Sequence, residues 1–231
     1  NAPPRKSTEL NERGEPVYDM EGRDNPGLDA IAKLGLPFWL AGEQCSPKAL
    51  RKALELGANG VQIGTAFSLC RESGHLTETK QQSIQEIRNG TYDVLTDPLV
   101  SPSGYPFKVV QRPGTVSSVE TYQERVRICD LGYLQHAYWD PDGKLAWRCP
   151  SEPVEDYLRK GGKLEDTVGR KCVCNGLMAT LGLGQIRKDG YVELPIITSG
   201  DDVAFLEHLK LGPDGLYGAG DVIDYVLGTA S

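Results

Sequence analysis

The amino-acid sequence predicts an α/β protein that contains a parallel strand–helix–strand unit. Two short runs over residues 38–41 and 61–63 read as strands, and each is followed by glycine, at Gly42 and Gly64. A stretch with helical periodicity separates them, and a strand, a helix and a strand at this spacing form a right-handed parallel unit. Beyond residue 90 the chain becomes rich in turn residues, which predicts a second region of mixed, loop-rich structure.

Helices are predicted where apolar residues recur at helical spacing next to a residue that begins or ends a helix. Ser46 and Pro47 provide an N-cap and a proline for a first helical turn, and Gly35 and Gly57 end two of the periodic stretches. The chain before residue 28 is rich in proline, glycine and charge and is expected to be loop. The helices expected on this basis cover residues 28–34, 48–56, 77–88, 119–125, 153–160 and 221–227.

Strands are predicted from short apolar runs bounded by turn residues. The run at 38–41 is apolar at every position, as is typical of strands buried on both faces of a parallel sheet, and 61–63 is expected to be the next buried strand. A hairpin is expected around residues 140–143, where Asp-Pro-Asp-Gly supplies residues that favour a turn.

The composition limits the classes of function. The 231 residues carry a net charge of -7, and 25% of them are charged, which is typical of a folded globular protein. A nucleic-acid-binding domain would normally carry a clustered basic face, so nucleic acid is not an expected partner. No apolar run predicts a membrane span and no signal segment opens the chain, so the protein is expected to be cytoplasmic.

The two glycines that follow the predicted strands define a candidate binding site. In parallel α/β folds ligands bind at the carboxyl ends of the strands, where Gly42 and Gly64 both lie. Gly42 precedes a helix whose first amides lie near Cys45 and Ser46, and Gly64 lets the backbone approach a ligand. Unpaired amides at a helix N-terminus bind anions, so a phosphate is expected here. On spacing alone, the alternative that both glycines only make tight turns stays open.

Several motifs in the first half of the chain resemble the nitronate monooxygenase family, whose members were formerly called 2-nitropropane dioxygenases. That family combines an AGG turn, a helix ending in GA, and a strand GVQxGT followed by phenylalanine. The opening NAPPR and the segment SGYPFK at 103–108 are similar to family segments after the active-site histidine and after the last barrel helix. The matching residues are Ala41-Gly42, Gly57-Ala58, residues 60–65 and Phe67.

This resemblance implies a fold. Family members are FMN-dependent (β/α)₈ barrels of the TIM type, and the matched motifs correspond to the last two βα units. Residues 1–112 are therefore expected to form the C-terminal part of an FMN-binding barrel, and residues 113–231 a family-specific extension with cysteine-bearing loops. Because two strands cannot close a barrel, the N-terminal portion of the same barrel is an expected partner. It would be a separate polypeptide, a cleaved piece or chain ahead of Asn1.

The resemblance also implies an FMN site at the glycine turns. Gly42, Gly64 and Thr65 would hold the FMN phosphate through backbone amides and the Thr65 hydroxyl, with Gln62 directed toward the cofactor. Glu43 stands where the family has its second glycine, and it places a carboxylate near the expected phosphate unless the side chain turns outward. The residues expected to bind the cofactor are Ala41, Gly42, Glu43, Gln44, Gln62, Gly64 and Thr65.

The implied activity is the oxidation of nitronates or nitroalkanes with O2 by an FMN-dependent oxidoreductase. In the family a histidine takes a proton from the carbon beside the nitro group or assists attack on a nitronate. That histidine would precede Asn1, so the catalytic residue is not identified in this chain. The histidines that are present, expected to be structural or on the surface, are His75, His136 and His208.

Other functions stay open at this point. Related barrels reduce enoyl thioesters with FMN and NAD(P)H, and the motifs do not choose between small-molecule substrates. A non-redox enzyme with a phosphate-binding barrel would share the two glycine turns. A non-catalytic, metal-bearing subunit is a third alternative, and each of these is compatible with a homo-oligomer.

The cysteines suggest a second candidate site. Six cysteines are too few for a disulfide scaffold of this length and are expected to be thiols or metal ligands. Cysteine thiolates on loops bind zinc or an iron–sulfur cluster, although no C-x-x-C pair is present and buried apolar thiols are the alternative. The candidate metal ligands are Cys129, Cys149, Cys172 and Cys174.

Overall fold

The computed structural model describes residues 9–19, 21, 22, 24 and 26–229, and shows a mixed α/β chain divided into two compact units. The first unit contains the described residues of 18–92 and 199–229, and the second unit contains residues 9–17 and 93–198. The predicted boundary after residue 112 therefore falls inside the second unit. The opening NAPPR, which carries part of the family resemblance, lies outside the described residues.

The helices and strands follow in chain order. The helices are α1 (Leu28–Ala32), α2 (Pro47–Glu55), α3 (Thr65–Leu69), α4 (Thr77–Arg88), α5 (Val119–Glu124), α6 (Val154–Arg159), α7 (Val173–Thr180) and α8 (Ala219–Leu227). The strands are β1 (Trp39–Ala41), β2 (Gly60–Gln62), β3 (Val94–Asp97), β4 (Phe107–Val110), β5 (His136–Trp139) and β6 (Leu145–Arg148). Two 3₁₀ helices cover Leu164–Thr167 and Ala204–His208.

The first unit contains the predicted parallel strand–helix–strand arrangement. Strands β1 and β2 pair in parallel, with Leu40 opposite Val61, and α2 connects them. The Ser46 side chain accepts a hydrogen bond from the Ala49 amide at 3.1 Å and so caps α2, as the sequence predicts. Within the described part of the chain this parallel sheet has two strands, and no closed barrel is formed.

The prediction that these two strands are buried on both faces was wrong. Trp39 is 58% exposed, and no residue of β1 or β2 is fully buried. A sheet of two strands has two open edges, and its faces receive too little cover to exclude water from every side chain. The first unit therefore exposes apolar residues at the position where the sequence predicts a protein interior.

The core of the first unit lies around α3, which the sequence analysis did not predict. The hydroxyl of Tyr217 donates to the backbone oxygen of Ala66 at 2.7 Å, and the Arg71 amide donates to the oxygen of Tyr217 at 2.8 Å. The C-terminal segment is thereby attached to the helix that follows β2. The main buried residues are Ala66, Leu69, Ile84, Phe205, Leu209, Tyr217 and Val222.

The second unit contains two antiparallel strand pairs. Strand β3 pairs with β4, and a single bridge joins Val109 to Thr198. Strands β5 and β6 form the predicted hairpin, which turns at Gly143 with φ 75°. The core beneath β3 and β4 includes Val100, Val109, Val116, Tyr122, Val173 and Ile196. Residues 93–112 belong to this unit because β4 contributes to its core.

No helix in the described ranges combines the length and the apolar character that crossing a membrane requires.

Candidate functional site

The parallel register brings the two glycine turns side by side. Ala41, the last residue of β1, lies opposite Gln62, the last residue of β2. Both strands therefore end at the same edge of the sheet, and the chain leaves each of them into a glycine-containing turn. The residues that the sequence predicted for cofactor binding and that the structure gathers at this edge are Ala41, Gly42, Glu43, Gln44, Gln62, Gly64 and Thr65.

The turn after β1 adopts a backbone conformation suited to glycine at two successive positions. Gly42 has φ 86° and Glu43 has φ 54°, and among the described residues Glu43 is the one non-glycine with positive φ. A side-chain-bearing residue in this region costs about 1–2 kcal/mol relative to ordinary backbone. The Gln44 side chain donates to the Gly42 oxygen at 2.7 Å and holds the turn. The turn thus keeps a glycine-type conformation where the family has glycine and this chain has glutamate.

The Glu43 side chain is exposed to solvent. Asp202 is a second acidic residue in this region. Burial, and then the negative charge of Asp202, raise the pKa of the Cys45 thiol to about 11. Anion binding at this edge would consequently depend on backbone amides working against two nearby carboxylates.

The turn after β2 has open space beside Gly64 and an anchored threonine. A Cβ atom added to Gly64 would meet no heavy atom within 4 Å, and Gly64 stands at the N-cap of α3. The Thr65 hydroxyl oxygen accepts a hydrogen bond from the Gly200 amide at 2.8 Å. Because that oxygen accepts, the Thr65 hydroxyl proton is available for donation to a ligand. Sequence reasoning did not identify Gly200, since nothing in the segment TSGDD indicates a contact with Thr65.

The four candidate cysteine ligands come from three separate segments of the chain and line one pocket in the second unit. The pocket has a cavity volume of about 10 Å³, and all six cysteines of the chain are free thiols. Glu152 and Asn175 also line it, and neither was identified from the sequence, although Asn175 directly follows Cys174. The cysteines of the pocket are Cys129, Cys149, Cys172 and Cys174.

The four cysteines of the pocket lie on different secondary-structure elements. Cys172 is the N-cap of α7 and Cys174 lies in its first turn, so these two cysteines are not on loops as the sequence analysis expected. Cys149 follows the end of β6, and Cys129 lies in the loop after α5. Helix α7 has eight residues and directs its first amides toward its N-cap, which favours negative charge on the sulfur there.

Burial is the main influence on the thiols of the pocket. It raises the pKa of Cys129, of Cys172 and of Cys149, the last to about 11. The charges of Cys129 and Cys172 also raise the pKa of Cys149, so these sulfurs lie within electrostatic reach of one another. Without a cation beside them, these three thiols are therefore protonated at neutral pH.

A buried polar network holds one wall of the pocket. Arg125 donates to both carboxylate oxygens of Glu193, at 2.6 and 2.8 Å, and both side chains are at least 99% buried. The Asn175 side-chain nitrogen donates to Asp130 at 2.8 Å, and Asp130 pairs with Arg187. This network fixes the first turn of α7, and with it the position of Cys174.

Two oxygens at the pocket lack partners. Asn175 Oδ1 and Glu152 Oε1 are buried, and neither has a hydrogen-bond partner among the described residues. The other oxygen of Glu152 pairs with Lys160 at 2.7 Å. Among all the described residues, no group of three or more His, Cys, Asp or Glu side chains is arranged so that it could hold a metal ion. The sulfurs share a pocket without yet forming a coordination shell.

The three histidines have different surroundings. His75 is half-buried, its Nδ1 has no partner among the described residues, and burial lowers its pKa. His136 is exposed on β5. His208 stacks on the ring of Tyr225 with a centroid distance of 4.8 Å, which is a structural contact.

Comparisons with known proteins add no relative: no family model, no curated protein and no solved structure matches this chain.

Proposed function

We propose that the first unit provides the phosphate-binding end of the flavin site in an FMN-dependent oxidoreductase similar to nitronate monooxygenases. The observation that carries this proposal is the parallel pairing of Ala41 with Gln62, which sets the two glycine turns next to each other. Phosphate groups bind at such strand ends because backbone amides there are unpaired and no side chain blocks their approach. Nitronates or nitroalkanes, oxidised with O2, are the proposed substrates.

The residues at this edge fit a phosphate monoester. Glu43 keeps the backbone conformation of a glycine and its side chain is exposed, so its amide can face the site. The open space beside Gly64 leaves room for phosphate oxygens. The Thr65 hydroxyl, positioned by Gly200, would donate its proton to one of those oxygens. FMN, when bound, supplies the redox chemistry, while these residues hold and orient it.

The exposed strands support a partner that completes the barrel. Trp39 on β1 and Leu36 just before it are 58% and 68% exposed, and among the described residues each strand of the two-stranded sheet has one unpaired edge. Parallel strands are normally buried on both faces. We propose that the N-terminal portion of the same barrel covers this surface and brings the histidine that the reaction needs. This partner is inferred from the exposed sheet and from the family resemblance together.

Binding of FMN and of riboflavin to the full chain tests the proposal. The two ligands differ by the phosphate alone, so a phosphate site should bind FMN at least about tenfold more tightly, a difference of about 1.4 kcal/mol. Gly64→Asp adds a negative charge where a Cβ meets nothing within 4 Å, and it should abolish that preference without disturbing packing. Quenching of flavin fluorescence measures both affinities.

A matched control is Gly220→Asp, which adds the same charge at an open, exposed glycine of α8 in the same unit. The control should keep the preference for FMN. Equal affinities for FMN and riboflavin in the unaltered chain would overturn the phosphate site. A Gly64→Asp variant that prefers FMN as strongly as the control does would also overturn the phosphate site. Binding of inorganic phosphate without any flavin would favour the non-redox alternative.

A further inference from the structure

We propose that Cys129, Cys149, Cys172 and Cys174 bind a single structural zinc ion in the second unit. The inference is independent of the flavin site, because all four residues belong to the second unit and the glycine turns belong to the first. It selects zinc over an iron–sulfur cluster and gives the ion a structural role.

The four cysteines converge on one pocket from separate segments of the chain. A loop, the end of β6 and the start of α7 come from separate parts of the chain, yet each contributes cysteine to the same small pocket. Cys45 and Cys70, the two remaining cysteines, lie in the first unit and take no part. Thiolate sulfur is the preferred protein ligand of structural zinc, and four sulfurs make a complete tetrahedral set.

Two buried oxygens at the pocket have no hydrogen-bond partner in the part of the chain that the structure describes. Buried polar atoms are nearly always hydrogen-bonded, so each exception requires an explanation. Glu152 is 4% exposed and Asn175 is 1% exposed, and Glu152 Oε1 and Asn175 Oδ1 both lack a partner among the described residues. Two buried oxygens without partners beside four thiols are not typical of an apolar core. A cation held by the sulfurs would offset the negative charge that these oxygens place in the pocket.

A polar side chain also lies against one of the sulfurs. The Gln135 side-chain nitrogen donates to the Cys129 sulfur at 3.6 Å, and Gln135 lines the same pocket. Hydrogen bonds from outside the coordination shell orient metal ligands and increase affinity. Gln135 would hold the Cys129 sulfur in this way when zinc is bound.

The charge of the proposed centre is offset locally. Four thiolates and Zn²⁺ carry a net charge of minus two, and binding releases one proton from each thiol. The N-terminus of α7 lies at Cys172, and the Arg125 guanidinium is close enough to act on the same sulfur. Positive ends of helices and nearby guanidinium groups both stabilise thiolates.

The size of the pocket selects one ion over a cluster. A cavity of about 10 Å³ is close to the space of a single water-sized sphere, roughly 10–15 Å³. Zinc fits this space after rotation of the cysteine side chains, whereas a four-iron, four-sulfide cluster is several times larger. Because protein sulfurs would fill all four positions, no position is left for substrate, and the role is structural.

Metal analysis of the full chain, purified without a metal-affinity step, tests the proposal. We expect about one zinc per chain, less than about a tenth of an equivalent of iron, and an X-ray absorption shell of four sulfurs at about 2.3 Å from the zinc. These measurements require no variant. Iron with visible absorbance would overturn the proposal in favour of a cluster. Metal-free protein, or zinc bound mainly by nitrogen and oxygen, would also overturn it.

Two variants check the ligand set. Cys174→Ser should lower zinc affinity by at least about tenfold in a competition with a chromophoric chelator. Cys45→Ser, a cysteine-to-serine change in the first unit, should keep about one zinc per chain with unchanged affinity. Loss of zinc from Cys45→Ser, or full retention by Cys174→Ser, would contradict the assignment. If Cys174→Ser does not fold, the sulfur shell of the unaltered chain decides.

Discussion

The glycine turns of the first unit and the cysteine pocket of the second unit are built from different parts of the chain. In the first unit, backbone conformation at two neighbouring strand ends makes the candidate site, and the residues lie within 25 positions, 41–65. In the second unit, side chains from three separated segments make it. A site formed by backbone conformation can therefore be predicted from a local sequence motif. A site formed by side chains depends on how distant segments pack.

The largest expected effect concerns the buried network beside the cysteine pocket. Glu193→Ala leaves the Arg125 guanidinium buried without its partner, because the pair is at least 99% buried. Removing one member of a buried ion pair costs about 3–5 kcal/mol in the free energy of unfolding. Urea unfolding followed by far-UV circular dichroism measures the loss.

The half-exposed pair Arg13–Asp93 in the same unit is the control. Asp93→Ala should change the free energy of unfolding by no more than about 1 kcal/mol, because water screens an exposed pair. Equal losses in the two variants would show that side-chain burial does not distinguish the pocket wall from the surface of the unit.

A pair of helical glycines gives the next largest contrast. A Cβ at Gly176 in α7 would come within 2.6 Å of Ile196 Cγ2 and 3.1 Å of the Ile196 backbone nitrogen. Gly176→Ala should therefore destabilise the second unit by about 1–3 kcal/mol through overpacking. Gly220→Ala in α8, where nothing lies within 4 Å, should instead stabilise the first unit by about 0.5–1 kcal/mol. Thermal unfolding of both variants tests the opposite signs.

The two units should lose stability in different ranges of pH. Burial lowers the pKa of His75 in the first unit below its ordinary value of 6.5. The folded state resists protonation there, so this contribution is complete above pH 6.5 and falls as the pH drops below it. His75→Gln should flatten the pH dependence of the free energy of unfolding just below pH 6.5.

In the second unit, Asp130 shows the opposite case. Burial raises its pKa, but hydrogen bonds from Arg187 and Asn175 outweigh burial and hold the pKa below its ordinary value of 3.8. Stability from Asp130 is present above that value and is lost as the pH falls through the lower folded pKa. Asp130→Asn should therefore lower the free energy of unfolding at neutral pH and flatten its dependence on pH in the acid range. An unchanged acid range in this variant, or a slope altered near neutral pH, would contradict the assignment of the two windows.

The smallest expected effect tests the turn after β1. Glu43→Gly relieves the positive φ of 54° and should stabilise the chain by up to about 1 kcal/mol, since the freedom of glycine in the unfolded chain offsets part of the gain. Removing the carboxylate should also tighten FMN binding. Glu43→Gln separates the two effects, because it removes the charge and keeps the strain. Looser FMN binding in both variants would count against a phosphate at this turn.

Local patterns determined much of the fold of the first unit. The helix over 77–88 is found at Thr77–Arg88, and α2 begins at the proline that follows its serine cap. Capping residues, proline and glycine act through the backbone within one turn of themselves, so a single sequence displays them. Helices α3 and α7 were missed because TAFSL and VCNGLMAT contain no charged residue, so no polar face marks an amphipathic helix in the sequence.

The sequence by itself determined the parallel unit, the two glycine turns and the identity of the thiols. Only the tertiary structure decided that the cysteines share a pocket, that Gly200 anchors Thr65, and that β1 and β2 are exposed. The physical reason is the distance along the chain over which each kind of interaction acts. Backbone conformation and capping are settled by neighbours in the chain, whereas burial, shared charge and side-chain contact depend on segments that meet only after the chain has folded.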